Sequence, residues 1–295
     1  MRIYDFVTLD VFTGRKFAGN QLAVVKNADD LTSDEMQTIA REFNLSETVF
    51  VLRPARPQSA AKIRIFTPGY EMPFAGHPTV GAAIAIASKR NLADAMELEL
   101  NTGVFAIGLD TRDGVSYAEF LNPNLPAIAG GAPAAGALAR ALSLPAGSIN
   151  EGAHRPRLIG AGVNFVFATA SLDAVRAAKV NSGAFDDLGL ENTVGVLLYA
   201  KGGDHPGADF HVRMFAPGAG IVEDPATGSA AAALPGQIAA TGDLPDGVSA
   251  WKIEQGFEMG RASLINVTVE ALGGAVRSVR VGGCAVAVMR GQLSV

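Results

Sequence analysis

Two blocks of this 295-residue chain place proline and small residues directly after a polar side chain. They read His77-Pro78-Thr79 and Asp224-Pro225-Ala226. Proline is favoured at the first position of a helix, so each block predicts a helix start with the polar residue as its cap. A helix start exposes N–H groups and the positive end of the dipole, so it can bind a carboxylate. Two such starts facing one cleft would hold a small anion, although for Asp224 an ordinary cap is an equal alternative.

His77 is a candidate for proton transfer at the first of these helix starts. The positive end of the dipole favours the neutral imidazole, which can donate or accept a hydrogen bond. The alternative is a structural histidine that only caps the helix. The remaining histidines, His154, His205 and His211, show no metal-ligand spacing. We interpret them as surface or structural residues and expect no metal.

Glu47 is a candidate general base at the start of an apolar segment, Asn44-Leu45-Ser46-Glu47-Thr48-Val49-Phe50. On the strand pattern alone, its carboxylate would face solvent. In a dry cleft, desolvation and a nearby Asp224 would instead both raise the pKa of Glu47 toward the value that a general base needs. The spacing of the residues does not decide between the two interpretations.

The one cysteine, Cys284, excludes several kinds of chemistry. A single thiol cannot form an internal disulfide, a CxxC redox pair, a thiolate metal site or a pair of facing thiol bases. The chain also contains no GxxxxGK[ST] motif, no GxGxxG motif after a strand and no GxSxG motif. Nucleotide binding and a serine nucleophile elbow are therefore unsupported, and we expect no cofactor.

The composition predicts a folded protein with a large core. Hydrophobic residues make up 48% of the chain and charged residues 18%, and the net charge is −5. Without a basic excess, we expect no nucleic-acid partner. The N-terminus lacks the pattern of a signal peptide, and no uncharged apolar run approaches the roughly 18 residues of a membrane span. We therefore expect a soluble, cytoplasmic protein without a membrane partner.

Strand-like segments dominate the chain, and helices are fewer. Short apolar runs rich in β-branched residues, separated by Gly, Pro, Asn and Asp, predict strands. These runs are 3–9, 22–25, 49–52, 63–66, 97–100, 105–109, 163–168, 194–198, 210–215, 264–269 and 285–289. Helices are predicted over 32–43 (which opens with a capping box), 78–90, 134–144, 172–179 and 225–240. Pro235 should end or kink the last of these helices. The pattern indicates a mixed, strand-rich class with isolated helices.

An internal repeat organises these elements. Residues 64–69 (RIFTPG) reappear as residues 213–218 (RMFAPG), at an offset of 213 − 64 = 149. Downstream, residues 77–83 match residues 224–230 at an offset of 224 − 77 = 147, which pairs His77 with Asp224. A period of half the chain predicts two similar halves, each with one strand–turn–helix unit. The boundary should lie near the Pro/Gly/Ala-rich residues 122–136.

Four blocks in this order resemble the phenazine-biosynthesis-like (PhzF-like) family along the whole chain. They are residues 10–25 (DVFTGRKFAGNQLAVV), 45–50 (LSETVF), 64–79 (from RIFTP to PFAGHPT) and 223–230 (EDPATGSA). The resemblance implies the diaminopimelate-epimerase-like fold, of class α+β. That fold has two pseudo-symmetric halves, each a mostly antiparallel, β-barrel-like sheet around a central helix. The expected halves are 1–121, joined by a C-terminal strand at 284–295, and 122–283, with the active site in the cleft between them.

The same resemblance implies an isomerase that uses neither cofactor nor metal and acts on a small carboxylate or amino-acid-like substrate. Glu47 matches the catalytic glutamate, which takes a proton from one carbon and returns it to another. His77 and Asp224 match the polar pair that flanks the substrate. Substrate-binding roles fall on four further residues, namely Asn20, Gly76, Gly228 and Ser229. Members of the family are often homodimers, so we expect a homodimer here.

Two other functions are compatible with the residues. An epimerase or racemase on the same fold could use a carboxylate and an imidazole where related enzymes use two thiols, and it would invert one carbon. A non-catalytic binding protein could keep the anion-binding helix starts and lack the proton transfer. The leading hypothesis is the isomerase, which would shift a double bond.

Overall fold

Residues 1–88 and 94–295 are described by a computed structural model, in which the chain divides into two units. Unit 1 comprises Met1–Leu121 and Gly282–Val295, and unit 2 comprises Asn122–Val281. The chain thus leaves unit 1 once and returns to it through its last residues.

The described residues of unit 1 form eight complete strands and two helices. They are β1 (Ile3–Val11), β2 (Asn20–Val25), α1 (Ser33–Phe43), β3 (Glu47–Leu52), β4 (Ala61–Phe66), β5 (Glu71–Met72), α2 (Gly76–Ala87), β6 (Ala95–Leu100), β7 (Gly103–Arg112) and β8 (Val115–Leu121).

Unit 2 begins with a short strand and ends within a long one. Its elements are β9 (Ala127–Gly130), α3 (Ala135–Ala141), β10 (Arg157–Gly160), β11 (Asn164–Thr169), α4 (Leu172–Ala177), α5 (Ser182–Asp186), β12 (Gly195–Lys201), β13 (Phe210–Ala216), β14 (Ile221–Asp224), α6 (Gly228–Ala239), β15 (Gly247–Gln255), β16 (Ser263–Leu272) and β17 (Ala275–Ser294). The last part of β17 belongs to unit 1, where it pairs antiparallel with β1.

The same strand topology occurs in both units. In unit 1, β1–β2 and β3–β4 are antiparallel pairs, whereas β2–β3 and β4–β6 are parallel. In unit 2, β10–β11 and β12–β13 are antiparallel, whereas β11–β12 and β13–β15 are parallel. An antiparallel hairpin follows in each, β6–β7 and β15–β16. The predicted mixed α+β, sheet-dominated class is therefore confirmed.

Each unit encloses one apolar helix. All residues of α2 from Gly76 to Ile86 are buried, and α6 is buried over nearly its whole length. Helix α2 packs against β1, β2, β3 and β8, and α6 packs against β9, β10, β11 and β16. A helix that is apolar on all sides is stable only when surrounded by other elements, which explains the Ala-rich sequences of both.

A bidentate arginine–glutamate pair closes the hairpin before each buried helix. In unit 1, Arg64 Nε and Nη2 donate to the two Glu71 carboxylate oxygens at 2.8 and 2.6 Å. In unit 2, Arg213 Nε and Nη2 donate to Glu223 at 2.8 and 2.7 Å. Each guanidinium also lies about 5 Å from an aromatic ring centre, at 5.0 Å from Phe66 and 4.9 Å from Phe215. The repeated RIF and RMF segments therefore form the same local structure.

A second repeated feature is a carboxylate that holds a loop. Glu99 accepts hydrogen bonds from the N–H groups of Ala55 and Arg56 at 3.0 and 2.8 Å. Glu254 accepts them from Asp204 and His205, both at 2.7 Å. Both glutamates are at least nine-tenths buried. Charge-assisted bonds to backbone N–H groups compensate a buried carboxylate for the loss of water.

The predicted helix starts are wrong by two or three residues. Helix α2 begins at Gly76 after Ala75, so Pro78 is its third residue. Helix α6 begins at Gly228 after Thr227, and Asp224 ends β14 instead of capping the helix. The offset between the two helices is therefore 228 − 76 = 152, and His77 corresponds to Ser229, not to Asp224. Phe66 pairs with Glu71, whereas Phe215 pairs with Glu223, so more residues separate the paired positions in unit 2. The alignment of Pro78 with Pro225 did not allow for these extra residues.

Three further helix predictions concern Pro235, the end of the first buried helix and the capping box of α1. Pro235 neither ends nor divides α6, which continues to Ala239. The predicted end of the first buried helix at residue 90 lies outside the described residues. The predicted capping box before α1 is confirmed, because the Thr32 hydroxyl accepts a hydrogen bond from the Glu35 N–H and the Glu35 carboxylate accepts one from the Thr32 N–H.

No helix in the described parts of the chain combines the length and apolar character needed to cross a bilayer.

The same Gly-to-Ala substitution should have opposite effects in two helices. A Cβ on Gly81 of α2 would lie 2.5 Å from Leu22 Cδ2 and 2.7 Å from Val11 Cγ2. Gly81→Ala should therefore lower the free energy of unfolding by about 1–3 kcal/mol through overpacking. Around Gly136 of α3 nothing lies within 4 Å of the added atom. Gly136→Ala should raise the free energy by up to about 1 kcal/mol through helix propensity. Urea denaturation measures both, and equal changes of the same sign would contradict this account of α2 packing.

Candidate functional site

Glu47 lies at the first position of β3, and the local fold shields it. Helix α1 ends at Phe43, and the next residue, Asn44, adopts a left-handed conformation with φ of 50° and turns the chain toward β3. Strand β3 then runs parallel to β2, with Glu47 opposite Leu22. The Glu47 side chain is 13% exposed. The interpretation of Glu47 as a solvent-facing strand residue is therefore wrong.

His77 lies in the first turn of α2 and faces this carboxylate. Its Nδ1 is 3.4 Å from Glu47 Oε2, and its side chain is 4% exposed. Burial lowers the pKa of His77 to about 3, opposed in part by a backbone group of Gln21. Desolvation disfavours the charged imidazolium, so the ring is neutral near pH 7. The contact with Glu47 is consequently not an ion pair.

Asn20 connects His77 to the chain just before Glu47. Its Nδ2 is 3.4 Å from His77 Nδ1, and its Oδ1 accepts a hydrogen bond from Ser46 Oγ at 3.0 Å. Asn20 is 1% exposed. Ser46, Asn20, His77 and Glu47 thus form one polar group at the start of β2, β3 and α2.

Asp224 belongs to a second polar group, before α6. Its carboxylate accepts a hydrogen bond from Thr227 Oγ1 at 2.5 Å. The fully buried Gln255 donates to the Asp224 carbonyl at 2.7 Å and accepts from the Thr227 N–H at 3.0 Å. Gly256, with φ of +76°, permits this packing, because a Cβ there would lie 2.6 Å from the Pro225 carbonyl oxygen. The segment between β14 and α6 is therefore firmly fixed.

Three of the predicted substrate-binding residues, Gly76, Gly228 and Ser229, lie at the starts of α2 and α6. Gly76 and Gly228 are the buried first residues of α2 and α6. Ser229 follows Gly228 and is half-buried. The first helical bonds are donated by the N–H groups of Thr79 and Ala231, so earlier N–H groups of each helix point out of its start.

The structure thus assembles the predicted residues into two groups. Asn20, Glu47, Gly76 and His77 are together in unit 1, whereas Asp224, Gly228 and Ser229 are together in unit 2. That the two groups act on one substrate stays a prediction.

A buried charged cluster in unit 2 was missed by sequence reasoning. His211 is fully buried and contacts Glu254 through Nδ1, and Glu258 through Nε2 at 2.9 Å. Burial alone would lower the pKa of His211, but the hydrogen bonds to Glu258 and Glu254 outweigh it and raise the pKa. His211 lies opposite Glu254 because of the parallel register of β13 and β15. A single sequence does not reveal such a register, so no local signal could have predicted the cluster.

Part of this cluster has the composition of a metal site. Ligand atoms of Asp204, His211 and Glu254 all lie within 4.8 Å of one another. A metal requires a lone pair on the imidazole, and the raised pKa of His211 favours the protonated ring, which competes with metal binding.

Comparison with known proteins identifies the family. The family model described as phenazine biosynthesis-like protein matches residues 9–291. The chain belongs to the phenazine biosynthesis-like family. An uncharacterized isomerase of Mesorhizobium japonicum is 42% identical over 99% of both chains. The trans-2,3-dihydro-3-hydroxyanthranilate isomerase of Pseudomonas aeruginosa is 36% identical over 98% of this chain and 99% of its own.

The structural comparison agrees with this assignment. The crystal structure of a Bacillus anthracis phenazine biosynthesis protein of the PhzF family matches with a TM-score of 0.90. It is 25% identical and covers 100% of both chains. The predictions of a PhzF-like isomerase and of its fold are therefore confirmed at the level of the family.

The His211 cluster should make the stability of this PhzF-like protein depend on pH. The folded pKa of His211 lies above the unfolded value of about 6.5, so the ion stabilises the fold below that pH. This contribution should be lost as pH rises through the folded pKa. Burial alone would raise the pKa of Glu258, but the His211 hydrogen bond outweighs it and lowers the pKa. The Glu258 contribution should therefore be lost as pH falls below about 4.3. Urea denaturation between about pH 2.5 and pH 9 measures both losses.

Two variants make this test specific. His211→Gln should abolish the decline above about pH 6.5 and lower the free energy of unfolding by roughly 3–5 kcal/mol, because it removes the positive charge between two shielded carboxylates. His154→Gln is the matched control, since His154 pairs with Asp243 at the partly exposed surface. An unchanged alkaline decline in His211→Gln would refute the assignment.

Proposed function

We propose that this chain is a proton-transfer isomerase in which Glu47 removes a proton from one carbon of a small carboxylate substrate and returns it to another. The observation that carries the proposal is the shielded Glu47 carboxylate 3.4 Å from a neutral imidazole. A neutral neighbour does not cancel the charge of the carboxylate, so Glu47 keeps the ability to accept a proton.

The chemistry is balanced without an external oxidant or reductant. A substrate C–H bond breaks, its proton passes to Glu47, and its electron pair enters the conjugated system. The double bond shifts, and Glu47 delivers the proton to the carbon at the other end of that system. Substrate oxygens would bind at the starts of α2 and α6, where Gly76, Gly228 and Ser229 allow close approach to the backbone N–H groups.

The first substrate to test is trans-2,3-dihydro-3-hydroxyanthranilate, because a relative that covers nearly the whole chain is named for its isomerisation. The compound carries the required carboxylate.

Asn20 and Asp224 complete the proposed polar surroundings of the substrate. The proposed assembly is a homodimer.

A comparison of the two units favours isomerisation over two-base epimerisation. Thr48 pairs with Phe66 and Val196 pairs with Phe215, so Glu47 corresponds to Gly195. Unit 2 therefore has no carboxylate at the position of Glu47. An epimerase would need a second base from elsewhere, for which Asp224 is the candidate.

Glu47→Gln should abolish proton exchange while leaving the fold intact. The protein is incubated with trans-2,3-dihydro-3-hydroxyanthranilate in D₂O, and deuterium uptake is followed by NMR and mass spectrometry. Because the amide of a glutamine side chain cannot accept the proton, the rate should fall by about 10²- to 10⁴-fold. Glu42→Gln is the matched control, since Glu42 lies on the exposed face of α1 five residues earlier.

The product distinguishes the alternatives. A shifted double bond supports the isomerase, and inversion at one carbon supports the epimerase. Tight binding by calorimetry without exchange, here and across a carboxylate library, supports a binding protein. Wild-type exchange rates in Glu47→Gln would overturn the role of Glu47.

Asp224→Asn should weaken catalysis without unfolding unit 2. The amide retains an oxygen for the Thr227 hydroxyl, and the bond from Gln255 goes to the backbone carbonyl, so the segment keeps its hydrogen bonds. The lost negative charge should lower kcat/KM by about 10²-fold. Asp243→Asn, at a partly exposed position of the same unit, controls for charge removal. Full activity in Asp224→Asn would show that Asp224 serves the fold alone.

A further inference from the structure

We propose that Asn20 is a positioning residue that selects the Nε2–H tautomer of His77, so that Nδ1 carries no proton to donate to Glu47. The inference rests on the proposed function for its catalytic meaning, but the tautomer itself is a property of the free protein. It differs from the substrate-contact role that the family resemblance implies for Asn20.

The buried environment of His77 limits the ring to one proton. Because the ring is 4% exposed and neutral, only one of its nitrogens carries hydrogen. Two groups compete for Nδ1, since Asn20 Nδ2 and Glu47 Oε2 both lie 3.4 Å from it. A protonated Nδ1 would donate to Glu47 but would oppose the Asn20 amide protons. An unprotonated Nδ1 accepts from Asn20.

Ser46 decides which end of the Asn20 amide faces the histidine. Its hydroxyl donates to Asn20 Oδ1 at 3.0 Å, which directs the NH₂ group toward His77. Asn20 is 1% exposed, so water does not compete for either end of the amide. The chain of donors from Ser46 through Asn20 therefore ends on an unprotonated Nδ1.

This tautomer has a consequence for the proposed proton transfer. With the proton on Nε2 and the Nδ1 lone pair accepting from the Asn20 amide, the ring donates no hydrogen bond to Glu47. The Glu47 carboxylate therefore keeps its full ability to accept the substrate proton. The His77 proton is at the same time placed on Nε2, which has no hydrogen bond of ordinary geometry among the described residues. A buried N–H donor of this kind is suited to an acceptor atom of the substrate.

The test is ¹⁵N NMR of histidine-labelled protein near pH 7, because the ring nitrogen shifts distinguish the two neutral tautomers and the imidazolium. The chain has four histidines, so His77→Gln assigns the His77 signals by their loss. We expect a neutral His77 with the proton on Nε2. A wild-type proton on Nδ1 would overturn the proposal.

Two variants test the cause. In Asn20→Asp a carboxylate replaces the donor, so the His77 proton should move to Nδ1 or the ring should become charged. In Ser46→Ala the amide loses its orienting donor, so a mixture of tautomers is expected, and this half-buried site provides the test even if Asn20→Asp does not fold. An unchanged Nε2–H signal in the folded variants would refute the role of Asn20. The two readouts are independent. The exchange rate of Glu47→Gln tests the proposed function, whereas the His77 tautomer in wild type and in the Asn20 and Ser46 variants tests this inference, so either claim can fail alone.

Discussion

The bidentate arginine–glutamate pair in each unit fixes where the buried helix begins. Glu71 is bound to Arg64 on the neighbouring strand, and Gly76 starts α2 five residues later. Glu223 is bound to Arg213, and Gly228 starts α6 at the same spacing. Parallel N–H···O bonds hold both position and orientation, which a single bond would not. Each helix start, and hence each candidate binding group, depends on this constraint.

Within that shared scaffold, the two units differ in the residues that can do chemistry. His77 corresponds to Ser229, and Glu47 corresponds to Gly195. Unit 1 thus combines a carboxylate with an imidazole, whereas unit 2 offers Asp224, a hydroxyl and backbone N–H groups. The two units keep the same residue type where packing requires it, since Phe66 in unit 1 and Phe215 in unit 2 are both fully buried. The two units thus share a scaffold but differ in the chemical groups that it carries.

The sequence predicted the elements with strong patterns and missed those decided by tertiary contacts. Most β-branched runs are strands, but β8, β10 and β15 contain Ser, Gly or charged residues and escaped the pattern. The repeat was found, yet matching Pro78 to Pro225 misaligned the helices. The paired positions are further apart along the chain in unit 2, where Phe215 pairs with Glu223, than in unit 1, where Phe66 pairs with Glu71. Glu47 looked exposed by alternation, whereas its burial depends on α2 packing over the start of β3. The His211 cluster depends on a parallel register between distant strands, which no local pattern encodes.

The neutral state of His77 determines which proton chemistry the Glu47 site can support. A charged imidazolium beside Glu47 would stabilise the carboxylate and weaken it as a base. Burial prevents this, because an ion in the position of His77 would lose its hydration without a compensating network. His211 shows the opposite case in the same chain, where hydrogen bonds to two carboxylates outweigh the cost of burial and raise the pKa. The two buried histidines therefore have opposite pKa shifts, and the ring in unit 1 is the neutral one. Only the neutral ring leaves the neighbouring carboxylate able to accept a proton and then release it.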